Sequence, residues 1–321
     1  MKIVITGGAG FIGSHLSKKF VNEGFEVIAV DNLVTGRESN ISDILTRKNF
    51  KFLKVNVSEK NFFEILKRES EQKKVDIILH FASPASVKDY LNLPFDTMKT
   101  SSFGTYNILE FAKEEKARVI FSSTSEVYGN PQVSPQTEDY WGNVNPVGPR
   151  AVYDESKRFS EAMCTAYHRY CNIDIRIIRI FNTYGPYMRE DDGRVIPNFI
   201  TQSLLNKPIT IYGDGTQTRS FLYIEDLVTA VYKLTLSENM AGVILNVGMP
   251  KEIKILELGE IVKRVLKSKS EFVFEKLPED DPKRRIPNID KIKKLLGWEP
   301  KVELEDGIKE TAEHFKRILK K

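Results

Sequence analysis

Lys2-Ile3-Val4-Ile5-Thr6 runs directly into Gly7-Gly8-Ala9-Gly10-Phe11-Ile12-Gly13, and a helix-length segment, Ile12–Glu23, follows. A short apolar run ahead of a glycine-rich turn reads as a parallel strand covered on both faces. Glycines at 7, 10 and 13 permit a tight turn, a close approach of backbone to a pyrophosphate and close helix–strand packing, and the free N–H groups of the helix start attract phosphate. Such a trio also serves as a plain turn. Here a strand precedes it, a helix follows it, and Asp31 closes the next strand 24 positions beyond Gly7. An acidic side chain there accepts hydrogen bonds from an adenosine ribose and repels a 2′-phosphate, so NAD is expected over NADP. Phe11, Ile12 and Asn32 complete the expected cofactor set. Arg37 is the nearby group that would instead accommodate the extra phosphate.

Working outward, strand-like runs at Lys2–Thr6, Glu26–Asp31, Phe50–Val55, Asp76–Phe81, Arg118–Ser122 and Asp174–Phe181 alternate with helix-length segments at Ile12–Glu23, Lys60–Lys73, Pro94–Glu115 and Ser156–Cys171. This alternation predicts an α/β fold, a Rossmann-type doubly wound parallel sheet. The rhythm breaks after Phe181, where loops rich in Gly, Pro, Asp and Arg appear. Helices are expected near Pro197–Leu205, Glu225–Ser237, Ile255–Lys267 and from Leu304. The expected division is a cofactor domain over residues 1–181 plus about 216–249, and a smaller, mostly C-terminal α/β substrate domain over about 182–215 and 250–321. The cleft between them is the expected site.

Composition removes several function classes. The 321 residues are 41% hydrophobic and 29% charged, ordinary values that exclude wholesale disorder. Forty-eight basic against forty-four acidic side chains leave a net charge of +4, too mild for a dedicated nucleic-acid binder. No run approaches the roughly 18 apolar residues of a membrane span, and the first apolar run reaches Gly7 too early for a signal peptide. Two cysteines make no disulfide framework, and four scattered histidines make no metal cluster. A soluble cytoplasmic protein without a metal is expected. Cys164 and Cys171, seven apart, read as core residues on one helix face.

Tyr153 and Lys157 are four apart at a helix start, so they share a face and reach one ligand. A tyrosine with a pKa of about 10 is a poor base at neutral pH. A lysine ammonium and an oxidised nicotinamide beside it would stabilise its phenolate. Upstream, Ser122-Ser123-Thr124-Ser125-Glu126-Val127-Tyr128-Gly129 ends a strand, where α/β sites lie. Together with the glycine loop, this order resembles the extended short-chain dehydrogenase/reductase family. The resemblance is nearest to its UDP-glucuronate decarboxylases and runs almost the full length. It is carried by His80-Phe81-Ala82-Ser83-Pro84-Ala85-Ser86 with Tyr90, by Glu138-Asp139-Tyr140-Trp141-Gly142 and by Tyr153-Asp154-Glu155-Ser156-Lys157-Arg158. It continues through Asn182-Thr183-Tyr184-Gly185-Pro186, Asp192-Gly193-Arg194-Val195, Gln217-Thr218-Arg219-Ser220-Phe221, Asp280-Asp281-Pro282-Lys283-Arg284-Arg285 and Gly297-Trp298-Glu299-Pro300.

The resemblance implies that Thr124 and Tyr153 bond the sugar 4-hydroxyl, that Lys157 holds the nicotinamide ribose, and that Arg285 approaches C5. It further implies a UDP-sugar bound by Ser83, Pro84, Tyr90, Asn182, Arg194, Val195, Asn198, Tyr212, Arg219 and Arg285. A homodimer through a four-helix bundle built from Pro94–Glu115 and Ser156–Cys171 is also implied, with Phe159, Ala162, Met163, Ala166 and Tyr170 on the contact face. An internal core face would carry the same pattern.

Chemistry separates the neighbours. A 4,6-dehydratase needs two adjacent carboxyl groups, to protonate a leaving hydroxyl and to take the C5 proton. Here Ser125 occupies the partner position and leaves Glu126 alone. A 4-epimerase needs neither acid. A decarboxylase needs one carboxyl group with a cationic neighbour, so Glu126 points to loss of CO₂ from a 4-keto sugar acid. Dehydratase and epimerase remain the alternatives, and a non-catalytic NAD-binding regulator is the reading from another class. Three departures stand out: Tyr187 where the decarboxylases carry an arginine, which weakens the expected grip on the carboxylate; Ser101 where asparagine is usual; and Asn56 where an aspartate usually lies near adenine.

Overall fold

The apolar runs become the strands of one sheet, because only strands buried on both faces satisfy uninterrupted hydrophobicity. The computed structural model describes residues 1–71, 73–277 and 284–320. Strands β1 (Lys2–Thr6), β2 (Glu26–Asp31), β3 (Phe50–Lys54), β4 (Ile77–His80), β5 (Arg118–Thr124) and β6 (Ile175–Ile180) are joined by a seventh, Ile244–Val247. Every pairing is parallel, and the sheet runs Ile244–Val247, β6, β5, β4, β1, β2, β3. The order reverses between β1 and β4, and there the loops leaving the two strands part to form a crevice. Alternate residues serve opposite faces: Ile3 and Ile5 join one apolar cluster, while Val4, Ile28 and Val30 join the other.

The turn after β1 is as tight as its glycines imply. A Cβ on Gly13 would lie 2.0 Å from the Gly7 carbonyl oxygen, and one on Gly7 would lie 2.9 Å from the Ala82 backbone. The helix Phe11–Asn22 therefore starts against the end of β1, with its first N–H groups over the crevice.

The structure differs from the sequence expectations in four places. The segment Pro94–Glu115 is not one regular helix: a π-helical turn at Thr100–Gly104 interrupts it. Ser160 Oγ donates to the Ser101 carbonyl at 2.6 Å, drawing that oxygen out of the helical ladder. The helix carrying Tyr153 begins at Ala151, ahead of Ser156. The strand Ile244–Val247, paired with β6 at the sheet edge, is not among the strands the sequence predicts, although helices flank it on both sides. Finally, Cys164 is buried in the core but Cys171 is exposed at the helix end, because the core face ends before the last turn.

Beyond β6 the chain forms short pairings. Thr218–Arg219 lies between Ile253–Lys254 and Arg284–Arg285, and Ile209–Tyr212 pairs with Phe272–Glu275. Phe199, Ile209, Ile211 and Phe315 belong to the same apolar cluster as Ile3 and Ile5, so this layer is packed on the sheet and not tethered beside it. Trp298 Nε1 donates to the Asp226 carbonyl at 3.0 Å, and Asp226 Oδ2 accepts from the N–H groups of Lys301 and Val302. That is the work of the Gly297–Pro300 turn. Among the described residues, no helix is long and apolar enough to cross a membrane, and no cluster of potential ligands would hold a metal.

Gly13→Ala should destabilise the protein by roughly 1–3 kcal/mol, the usual penalty of overpacking, and should weaken nucleotide retention. Thermal unfolding together with analysis of co-purifying nucleotide checks this. A variant with parent stability and parent nucleotide content would show that the turn tolerates a methyl group.

Candidate active site

Two connected cavities open at the carboxyl ends of the strands. The smaller, about 140 Å³, is lined by Gly7, Gly10, Phe11, Ile12, Gly13, Asp31 and Asn32. The larger, about 540 Å³, is lined by Thr124, Glu126, Tyr153, Lys157 and Arg285, with Tyr90, Asn182, Arg194, Val195, Asn198, Tyr212 and Arg219. Ile12, Ser83 and Arg194 line both. Pro84 and Tyr187 line the smaller cavity alone. Pro84 stands between Ser83 and Ala85, which line both cavities. The Tyr187 hydroxyl accepts from Lys18 Nζ at 2.7 Å. The loop after β4 curls back against the glycine turn, and the segment after Pro186 folds over the Phe11–Asn22 helix, where His15 Nε2 bonds the Pro186 carbonyl at 2.9 Å.

The smaller cavity fits a dinucleotide. Its glycine cradle leaves no room for side chains against the phosphate position. Asp31 accepts hydrogen bonds from the N–H groups of Ala9 (3.1 Å) and Leu33 (2.8 Å). Burial raises its pKa, and those N–H groups oppose the rise. A Cβ on Gly36 would lie 2.8 Å from the Asp31 carboxylate, so the loop can close on it only as glycine. Arg37, the candidate receptor for a 2′-phosphate, is engaged elsewhere: it forks onto Glu190 at 2.8 and 3.2 Å. Asn56 also lines this cavity, its Oδ1 accepting from the Ser58 backbone and hydroxyl.

In the larger cavity Tyr153 stacks on Tyr90, with centroids 5.2 Å apart and planes 5° from parallel. Burial pushes the Tyr153 hydroxyl pKa up, and a hydrogen bond with Thr124 works against that rise. Burial thus works against the phenolate in the protein alone. Lys157 Nζ donates to the Ser122 carbonyl at 2.9 Å and lies 5.9 Å from the Tyr153 ring centroid. Burial lowers the Lys157 pKa to about 8.

Glu126 is placed by its neighbours in sequence. Thr124 ends β5 in an extended conformation and its hydroxyl accepts from the Glu126 N–H at 3.2 Å, capping a single 3₁₀ turn, Ser125–Tyr128. The turn ends at Gly129, with φ of 61°, where a Cβ would lie 2.1 Å from the Asn143 carbonyl oxygen. The Glu126 carboxylate is held from both sides, by Arg150 Nη2 at 2.7 Å and Arg285 Nη2 at 2.6 Å. Burial pushes its pKa up, but the Arg285 and Arg150 charges outweigh burial and bring it down to about 2. Asp154, one helical turn from Arg150, goes the other way: burial and the Glu126 charge raise it to about 7. Arg150 and Asp154 were not singled out in the sequence. The available signal was a cation one turn before the tyrosine, in Gly148-Pro149-Arg150.

Arg285 is carried on a two-residue strand beside Thr218–Arg219 and fixed by the residues immediately after it. Gln136, fully buried, exchanges hydrogen bonds with Ile286 (2.9 Å each way), and its carbonyl accepts from the Asn288 N–H at 2.8 Å. Several buried polar atoms lack protein partners: Arg285 Nε and Nη1, Tyr90 Oη and Asp154 Oδ1. Such atoms mark where a polar ligand completes the site. Arg194 is paired with Asp192 at 2.5 and 2.8 Å. The Asp280–Lys283 part of the expected motif lies outside the described residues.

A buried tyrosine, lysine and threonine facing a cavity that continues into a dinucleotide cradle define a short-chain dehydrogenase/reductase. Residues 4–311 match the family described as GDP-mannose 4,6 dehydratase, and the chain belongs to that extended branch of the dehydrogenase/reductase family. It is 46% identical over 318 residues to UDP-glucuronic acid decarboxylase 1 of Danio rerio, covering 99% of this chain and 73% of the relative. Against UDP-glucuronic acid decarboxylase 6 of Arabidopsis thaliana the identity is 47% over 320 residues, covering 99% and 90%. The solved UDP-glucuronic acid 4-epimerase of Bacillus cereus, in complex with UDP-glucuronic acid and NAD, superimposes with a TM-score of 0.88 at 29% identity, covering 99% of this chain and all of that one.

Glu126 also gives the site a pH signature. Its pKa is depressed from 4.5 to about 2 in the folded protein. Its stabilising contribution is therefore complete above the unfolded value and is lost as pH falls from 4.5 towards 2. Urea unfolding across that window should show a steeper loss in the parent than in Glu126→Gln. Parallel curves would contradict a doubly paired carboxylate.

Proposed function

We propose that this protein converts UDP-glucuronate to UDP-xylose and CO₂ with tightly bound NAD. The observation that carries this reading is the single carboxylate, Glu126, beside Ser125 and clamped to Arg285. A dehydratase would need a second acid at position 125, and an epimerase would have no use for a buried carboxylate held between two guanidinium groups.

When bound, NAD supplies the redox couple for C4 of the sugar. Gly7, Gly10, Phe11, Ile12 and Gly13 would hold its pyrophosphate end, and Asp31 with Asn32 its adenosine ribose. Lys157 would hold the nicotinamide ribose, and its positive charge is present at neutral pH because its pKa stays at about 8. Tyr153, as a phenolate to which Thr124 donates, takes the proton of the 4-hydroxyl and becomes the neutral phenol. The raised Tyr153 pKa means that the positive charge of the oxidised cofactor, not the protein alone, makes this base competent.

Oxidation at C4 makes the sugar acid a β-keto acid, whose C5–carboxylate bond breaks with its electron pair flowing to the ketone. C5 is then protonated, and C4 is re-reduced by the hydride it gave up while Tyr153 returns its proton to the 4-oxygen, so the cycle is redox-neutral and yields the pentose. Glu126 organises decarboxylation and proton return at C5 together with Arg285, which stands beside it with two N–H groups left unpartnered for the sugar acid. Asn182, Arg194, Val195, Asn198, Tyr212 and Arg219 would hold the nucleotide, a substrate with about three negative charges, for which arginine is the favoured partner. In this reading residues 1–181 with about 216–249 form the cofactor domain, and the remainder forms the sugar-nucleotide domain.

The protein is proposed to act as a cytoplasmic homodimer. The exposed Cys171 thiol suits a reducing compartment. Phe95, Met98, Phe103 and Tyr106 on one helical segment, and Phe159, Ala162, Ala166 and Tyr170 on Ala151–Cys171, are exposed, the apolar stripe expected of an isologous four-helix contact. Met163 instead packs against the inner core. Light scattering should give the dimer mass at micromolar concentration, and monomer mass would sink the proposal.

Tyr153→Phe removes the base that acts before C4 is oxidised, so it should abolish both the reduced-nicotinamide signal and CO₂ release. Glu126→Gln should keep a transient reduced-nicotinamide signal while losing CO₂ release by about 10²–10⁴-fold. Single-turnover absorbance with parallel CO₂ detection separates the two. Parent-like turnover of UDP-glucuronate by Glu126→Gln would leave the carboxylate without a chemical role.

A further inference from the structure

We infer that Arg150 is a positioning residue for the carbon chemistry: it keeps Glu126 ionised and in place so that Arg285 is released to the reacting sugar. This rests on the decarboxylase reading above. The two arginines reach Glu126 from different parts of the chain. Arg150 stands at the start of the Tyr153 helix, where its carbonyl accepts from the N–H groups of both Tyr153 and Asp154 at 3.0 Å. Its position is thus rigidly tied to that of the base. Arg285 comes from a short strand in the other layer, paired with Thr218–Arg219.

Their partners differ as well. Arg150 bonds Glu126 through Nη2 at 2.7 Å and also feels the charge of Asp154, one turn along its own helix. Among the described residues Arg285 bonds Glu126 Oε1 through Nη2 at 2.6 Å and leaves Nε and Nη1 buried without a protein acceptor. A guanidinium with two unanswered N–H groups gains most from an incoming anion, and Arg150, bonded to Glu126 at 2.7 Å, is the guanidinium that stays on the carboxylate. A negatively charged sugar therefore draws Arg285 away from Glu126, and Arg150 holds Glu126 while this happens. Without Arg150, Arg285 would be the remaining guanidinium on Glu126 and would be retained there by an uncompensated buried carboxylate. Oxidation at C4 depends on Thr124, Tyr153 and Lys157, none of which uses Arg150's side chain.

The test is Arg150→Met and Arg150→Lys in the full-length protein, with UDP-glucuronate in single turnover, following reduced nicotinamide and CO₂ together. The methionine variant should form reduced nicotinamide at the parent rate but release CO₂ about 10²-fold more slowly, with kcat falling far more than KM changes. The lysine variant restores the charge without the planar fork, so it should recover part of the loss. If Arg150→Met does not fold, the lysine variant carries the test alone, with a smaller loss confined to CO₂ release. CO₂ release within about threefold of the parent overturns the inference, as does a loss of oxidation in step with CO₂ release, or a lysine variant no better than methionine. Absence of CO₂ from the parent itself would instead overturn the decarboxylase reading, and this inference with it.

Discussion

Everything in the crevice depends on one close approach, the backbone of Gly13 lying against that of Gly7. A methyl group on Gly13 would be 2.0 Å from the Gly7 oxygen, so the helix Phe11–Asn22 can begin there only if both positions lack side chains. That contact brings the helix N-terminus to the end of β1, opposite the loop that leaves β4. The reversal of strand order at this point separates the two loops and opens the crevice, while the five-residue β1 between them stays fully buried. A rigid strand with a tight turn at its end fixes the cofactor cradle, and the larger cavity is built outward from it.

The chemistry in that cavity is governed by how buried charges are matched. Tyr153 and Lys157 are buried and move in opposite senses from their ordinary values, each towards its neutral form. This is the direct consequence of low polarity around them, and it leaves the pair dependent on the charge of the bound cofactor. Glu126 escapes the same fate because two guanidinium groups face it, whereas Asp154, near that carboxylate and with one oxygen unpartnered, rises towards neutrality. Beneath these groups a second ionic network secures the end of β5. Arg179 forks onto Glu161, which also accepts from the Ser123 hydroxyl, and Arg179 donates to the Tyr128 hydroxyl. The strand end is thereby held while the turn beyond it presents Glu126.

The two halves of the site are legible in the sequence to different degrees. The glycine turn, Asp31 and the Tyr153–Lys157 spacing belong to local patterns in which the chain position and the physical requirement coincide. The large cavity does not. Arg285 reaches Glu126 across 159 positions of sequence, and Tyr90 reaches Tyr153 from a six-residue helix after β4. Residue type alone gave Arg150 and Asp154 no distinction from solvated surface charges; burial distinguishes them. The helix break at Thr100–Gly104 was equally hidden, because its cause is a hydroxyl, Ser160, from another helix.

The sequence by itself determined six of the parallel strands, the glycine-rich turn and the shared helix face of Tyr153 and Lys157, since each follows from periodicity or spacing within a few residues. Tertiary structure alone decided which charges face one another. It turned Arg37 onto Glu190 and away from the ribose site, put Tyr187 on the cofactor side of the cleft, and closed Arg150 and Arg285 on a single carboxylate. The physical reason is that a charge acquires its role from burial and from the opposite charge beside it. Both depend on segments that the chain brings together only when the second layer packs onto the sheet.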